Sequence, residues 1–194
     1  MAKVKLGPQT LAYPMPAFLV GASVGGKPNF LTVAWGGIAC AEPPMVAVAL
    51  RHRRYTYKGI KENGTFSVNV PSDKMVVATD YCGIVSGLKA DKVKACGFHV
   101  FYGALKSAPL IEECPLNLEC RVFRVDDLGS HALVVGEIVE CHVSEECLTG
   151  GRPDASKIKP LIYSEGPQAQ YRAFGRVLGR AFSVGRRLKA TGLD

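Results

Sequence analysis

Glycine and proline punctuate this chain throughout, twenty-one and twelve times in 194 residues, and so many turn formers favour a β-rich architecture over long helices. Between the breaks lie runs with β-branched content and alternation, which predict strands over roughly 17–24, 29–36, 45–50, 65–70, 98–102, 116–125 and 131–143. Few connections suit βαβ crossovers. The pattern is mainly β, a mostly antiparallel barrel with peripheral helices. Two short helices are expected, one N-capped by Thr56 and running to about Asn63, the other over 73–81. The C-terminal stretch changes period: Phe174, Val177, Leu178, Ala181 and Phe182 recur at helical spacing, with Arg172, Arg176 and Arg180 on another face. This predicts an amphipathic C-terminal helix over about 168–189.

A hydrophobic content of 47% with 21% charged residues is that of a globular chain, and its length suits a single domain over 1–194. No apolar run approaches the ~18 residues that span a bilayer. Lys3 and Lys5 precede an apolar stretch as in a signal peptide, but Pro8, Pro14 and Pro16 interrupt it, so a soluble, cytoplasmic protein without membrane association is expected. Seven cysteines (40, 82, 96, 114, 120, 141 and 147) form no C-x-x-C pair, and their odd number argues against a secreted disulfide framework. Small buried hydrophobes describe them better than metal ligands do.

The formal charge of +7 is unevenly placed: Arg172, Arg176, Arg180, Arg186, Arg187 and Lys189 face Asp194 alone in the tail. Such a tail could bind nucleic acid or attract an acidic redox partner, but without interleaved aromatics a solvated helix face is the better reading. The stretch GASVGG (21–26) lacks the spacing of a dinucleotide fingerprint. GIVSGLK (83–89) approaches a P-loop but has the wrong spacing and no hydroxyl after its lysine.

Four other stretches carry chemistry. In GGKPNFLTVAW (25–35) a hairpin turn leads into a strand that opens on Asn29 and closes on Trp35, the single tryptophan. In an undistorted strand Asn29, Leu31, Val33 and Trp35 share a face, and the two ends lie about 20 Å apart, which suits a long ligand or two separate sites. In PPMVAVALRHRRYTYKGI (43–60) an apolar strand runs into Arg51, His52, Arg53 and Arg54 and then a helix start. Guanidiniums beside free helix N–H groups make a phosphate receptor; a solvated basic turn is the plainer alternative. SGLKADKV (86–93) adds Lys89 and Lys92, and GSHALVVGEIVE (129–140) places His131 at the entry of a long strand.

In this order and spacing the segments GGKPNFLTVAWGGIACAEPPMVAVALRHRRYTYKGIKENGTFSVNVP, SGLKADK and HALVVGEIV resemble the flavin reductase-like FMN-binding split-barrel family, in particular its flavoredoxin-type members, over about residues 10–185. The resemblance implies a homodimer of split β-barrels with FMN held non-covalently near the interface. Position by position it implies flavin contacts from Asn29, Thr32 and Trp35, phosphate and ribityl contacts from Arg51 and Thr56, a further cation from Lys92, and approach of His131 from the later strand. Tyr163 and Tyr171 are the nearby candidates for an aromatic that meets the flavin. The implied function is electron transfer through FMN with a redox-protein donor or acceptor. The alternatives are an NAD(P)H-dependent FMN reductase, drawing on NADH or NADPH, and a non-enzymatic module that binds through the basic tail.

Overall fold

A computed structural model describes residues 1–166 and 168–189. The chain begins with β1 (Met15–Pro16), β2 (Phe18–Val24), β3 (Lys27–Val33), β4 (Gly36–Ala41), β5 (Pro44–Arg51), α1 (Tyr55–Asn63) and β6 (Thr65–Val70). It continues through α2 (Val76–Ile84), α3 (Lys92–Cys96), β7 (Val100–Phe101), β8 (Leu110–Ile111), β9 (Leu116–Asp127) and β10 (His131–Val143). Last come β11 (Leu148–Thr149), β12 (Arg152–Pro153), α4 (Ala155–Ile158), β13 (Ile162–Ser164), β14 (Gln170–Arg172) and α5 (Arg186–Lys189).

Seven strands form one sheet in the order β3-β2-β6-β9-β10-β5-β4, and every pairing in it is antiparallel. It curls until the chain just past β3 meets β5, where the Ala49 N–H donates to the Trp35 carbonyl at 2.8 Å. β3 and β4 are the two edges of this sheet and do not neighbour each other in it, so the barrel is split. Its interior is apolar: Val20, Leu31, Val48, Phe66, Val68 and Val134 pack together, with Tyr57 and Ile60 of α1 closing one end. Helix α1 lies close on β2 because Gly59 has no side chain; a Cβ there would collide with the Ser23 carbonyl. A second cluster, containing Leu19, Phe30, Cys82, Phe98, Ile111 and Cys114, covers the outer face of β2–β3 with α2 and α3. Both faces of β2 are therefore buried, which is why it reads as a continuous apolar run. The seven cysteines carry no disulfide, and among the described residues no helix is long and apolar enough to cross a membrane.

The fold departs from expectation in four places. The strand expected over 29–36 ends at Val33, so Trp35 sits in a bend before β4 rather than on the pleat with Asn29, Leu31 and Val33. The cap of α1 is Arg54, and Thr56 lies inside the helix, fully buried. The strand over 98–102 shrinks to the two residues of β7. The C-terminal helix is not formed over 168–185: the chain gives β14, then irregular chain and turns, and only α5 is helical. Gly175, Gly179 and Gly185 weaken a helix there, and its apolar residues find no surface, with Val177 and Leu178 each 85% exposed. Residues 190–194 lie outside the described residues.

GASVG (21–25) also has the spacing of a nucleophile elbow, but Ser23 is buried inside β2 instead of standing at a strand-to-helix turn.

Candidate functional site

Where β3 and β5 part, a cleft of about 410 Å³ opens between the end of β3, Ala49–Arg51 of β5, Asp80 and Gly83 of α2, and His131 of β10. A small sheet, β1-β13-β14, borders it and contributes Tyr163 and Tyr171. Deeper along β3 a cavity of about 200 Å³ continues the cleft, with Leu31 and Arg54 lining both. Together they form one elongated site of a size usual for small-molecule ligands, ~300–1,000 Å³.

The cleft is aromatic. The rings of Trp35 and His131 stack with centroids 4.7 Å apart and planes tilted by 34°, and Trp35 remains 36% exposed, unlike a core residue. Tyr163 and Tyr171 meet edge to face at 5.9 Å. The Tyr171 hydroxyl donates to Asp80 Oδ1 at 3.1 Å, and burial followed by the Asp80 charge pushes its pKa up. His131 lies opposite Arg51 in the β10–β5 register. Burial, then Arg51 and His52, hold its imidazole below its ordinary pKa, which favours the neutral ring.

The inner cavity is cationic, and among the described residues no carboxylate lines it. Arg53, Arg54 and Lys92 do. The Lys92 ammonium, 3% exposed, donates to the carbonyls of Phe30 at 2.8 Å and Cys82 at 2.7 Å and, among the described residues, has no acidic partner. Burial pushes its pKa down, Cys82 offsets part of this, and Arg54 adds to it. Arg54 is likewise pushed down by burial, then by Arg53 and Arg51, although its Nη1 donates to the Gly83 carbonyl at 3.2 Å. Cations gathered under mutual repulsion are relieved by an anion. Helix α1 starts at this cavity, and no side chain caps it. Its N–H groups and dipole add to the attraction. Asn29 Nδ2 donates to Thr56 Oγ1 at 2.6 Å across the cavity wall. Gly87 packs against that pair; a Cβ there would strike the Asn29 side chain and come within 2.9 Å of the Tyr55 ring.

The residues singled out from sequence thus fall into two groups on one site. Thr32, Trp35, Arg51 and His131 line the aromatic cleft, while Asn29, Thr56 and Lys92 line the cationic cavity. Thr32 is tied back by its hydroxyl, which donates to the Thr79 carbonyl. Arg51 stands in the cleft rather than beside Thr56, and Arg54 takes the place facing both chambers. Asp80 and Glu165 also border the cleft; no motif marks either.

The model of the flavin reductase like domain matches residues 10–172. The chain belongs to this family. Among solved structures of the family, flavoredoxin from Methanosarcina acetivorans is 44% identical, with a TM-score of 0.92 over 97% of this chain and 100% of that one. Flavoredoxin of Desulfovibrio vulgaris (Miyazaki F) is 39% identical, with a TM-score of 0.88 over 95% and 100%. A protein of Archaeoglobus fulgidus is 36% identical over 143 residues, 73% of this chain and 79% of its own length. The split barrel described above is thus the architecture of the flavin reductase-like family.

Proposed function

We propose that this chain is an FMN-binding redox flavoprotein of the flavoredoxin type. The observation that carries the reading is the joining of an aromatic-walled cleft to a cationic cavity that, among the described residues, no carboxylate lines and that holds the buried ammonium of Lys92. A flat ring fits the first and a phosphate the second. FMN, when bound, supplies the electron-transfer chemistry itself. The protein supplies position and field: Trp35 and His131 offer ring faces, Asn29 and Thr56 polar contacts, Lys92 and Arg54 charge for the phosphate, and Arg51 a cation at the ring end. Thr32 contributes to the wall of the ring site.

The purified protein should show a visible flavin spectrum, or acquire one when titrated with FMN. A colourless protein that takes up no FMN would overturn the reading. Family membership also favours a second reading, NAD(P)H-dependent flavin reductase. Anaerobic addition of NADH or NADPH separates the two: rapid bleaching marks a reductase, and persistence of the colour until a protein donor is added marks a carrier. We further infer a homodimer, supported by apolar side chains left exposed on β4 and β9, Ile38 at 73% and Phe123 at 65%. Free thiols suit a reducing cytoplasm.

A further inference from the structure

We propose that Asp80 is a positioning residue of the ring site: its carboxylate latches the Tyr171 phenol, and through it the β13–β14 hairpin, against the cleft that takes the flavin ring. The proposal rests on the FMN reading above and adds to it the residue that governs how long the ring is held.

Asp80 stands on a fixed support. Three carbonyls of α2 around it are taken up by side chains of the site: that of Thr79 accepts from the Thr32 hydroxyl, that of Cys82 from Lys92 at 2.7 Å, and that of Gly83 from Arg54 at 3.2 Å. Thr79 and Cys82 are themselves fully buried. The helix is thereby tied to both chambers, and Asp80, which borders the cleft, has a set place. Arg51 and Arg54 line the same cleft, yet among the described residues Asp80 forms an ion pair with neither. The partner its carboxylate does take is the Tyr171 hydroxyl, at 3.1 Å. An ionised carboxylate only accepts, so the neutral phenol donates.

Tyr171 needs that anchor. Its strand, β14, is the edge of the β1-β13-β14 sheet and pairs with β13 alone. The far end of the hairpin is tied at Glu165, whose backbone carbonyl accepts from the Tyr13 hydroxyl and whose carboxylate accepts from Thr10 at 3.3 Å. The side-chain bonds of Arg172, and the Gln170 carbonyl bond to Ser164, stay within the hairpin. Among the described residues, the Tyr171–Asp80 bond is therefore the one hydrogen bond from β14 to the main barrel and its helices. Tyr163 meets Tyr171 edge to face and lines the same cleft, so a shift of one ring disturbs both.

The test times the release of FMN and of riboflavin from wild-type protein, Asp80→Ala, Asp80→Asn, Tyr171→Phe and the double variant Asp80→Ala/Tyr171→Phe, each checked for fold by circular dichroism. Asp80→Ala and Tyr171→Phe should each speed the release of both flavins by about tenfold, because the ring is common to them. Asp80→Asn keeps an acceptor for the phenol and should stay within about threefold of wild type. The double variant should be no faster than the single ones, as for two residues that act as one unit. In flavin-free protein, trypsin cleavage after the exposed Arg172 should follow the same order and reports the hairpin without any flavin. Wild-type release and cleavage in Asp80→Ala overturn the proposal. So does an asparagine variant as impaired as the alanine one, or a double variant whose effect is the product of the two single effects. In each of these cases wild-type protein still binds FMN and the FMN reading stands. Wild-type protein that binds neither flavin overturns that reading, and the role of Asp80 at a ring site with it.

Discussion

Asn29 on β3 donates its amide to the hydroxyl of Thr56 on α1 at 2.6 Å, with both side chains buried, and so joins the sheet edge to the helix that starts the cationic cavity. Thr56→Val keeps the shape but removes the acceptor. An unsatisfied buried donor costs about 1–3 kcal/mol, so urea denaturation should show a loss of that size. FMN affinity should fall as well, because the freed amide no longer holds one orientation.

Lys92→Met removes a charge while keeping the stem of the side chain. Charge-assisted hydrogen bonds are worth about 1.5–3 kcal/mol, so FMN affinity should fall by roughly ten- to hundredfold. Riboflavin, which has no phosphate, is the internal control. General damage to the fold weakens both ligands alike, whereas loss of a phosphate contact lowers the ratio of FMN to riboflavin affinity. An unchanged ratio would remove Lys92 from the phosphate site.

Trp35→Ala, by contrast, should leave that ratio unchanged. The indole belongs to the aromatic end, so FMN and riboflavin should weaken together. Aromatic contact contributes roughly 0.5–1.5 kcal/mol beyond area burial, which is about a two- to tenfold loss. Unaltered affinity in a folded variant would make Trp35 a residue of the wall without contact to the ligand.

Arg51 and His131 are cross-strand neighbours, and Arg51 is one of the causes, after burial, of the lowered His131 pKa. Arg51→Gln should therefore raise the His131 titration toward its ordinary value, as read by NMR in flavin-free protein. The sign for stability follows. With the folded pKa below the unfolded one, the unfolded state binds more protons, so this histidine destabilises the fold as pH drops through the unfolded value, ~6.5. Arg51→Gln should lessen that loss. A cation near the ring also favours the reduced anionic flavin. A full charge at ~4 Å contributes up to about 4 kcal/mol at an effective dielectric of 20, or about 90 mV for a two-electron couple. Because Arg51 is exposed, solvent screening makes the expected fall in potential a fraction of that bound.

Strands with enough length to show a period were legible in the sequence: β2, β5, β6, β9 and β10 lie where alternation or β-branched runs put them, and β3 does too except that it stops at Val33. The short strands were not, because β1, β13 and β14 exist through pairing between residues distant in sequence. The C-terminal segment shows the converse: its helical period is real, but period alone does not hold a helix without a surface to bury. At the site, Asn29, Trp35, Lys92 and His131 stood out by residue type and position. Arg54 was obscured by placing the start of α1 two residues late, and Asp80 lies on α2 with no local signal, because only packing against Tyr171 brings it to the cleft.

Glu119 supplies a test of the scaffold away from the site. Its carboxylate, buried on β9, accepts from the Leu105 N–H at 2.7 Å, His142 Nε2 at 2.7 Å and the Ala104 N–H at 3.3 Å, and so pins the 103–107 loop to the barrel. Burial alone would raise its pKa, but these three donors together hold it below the ordinary value. A carboxyl with a depressed folded pKa stabilises fully above its unfolded value, ~4.3, and loses that contribution as pH falls through the folded one. Glu119→Gln keeps the size and one acceptor and removes the charge. It should cost about 1.5–3 kcal/mol near neutral pH, toward the lower end because His142 is partly exposed. The gap between wild type and variant should narrow as the solution is acidified below ~4. Urea denaturation across that pH range reads both features, and a gap that stays constant down to low pH would show that the Glu119 charge contributes nothing to the hold on the loop.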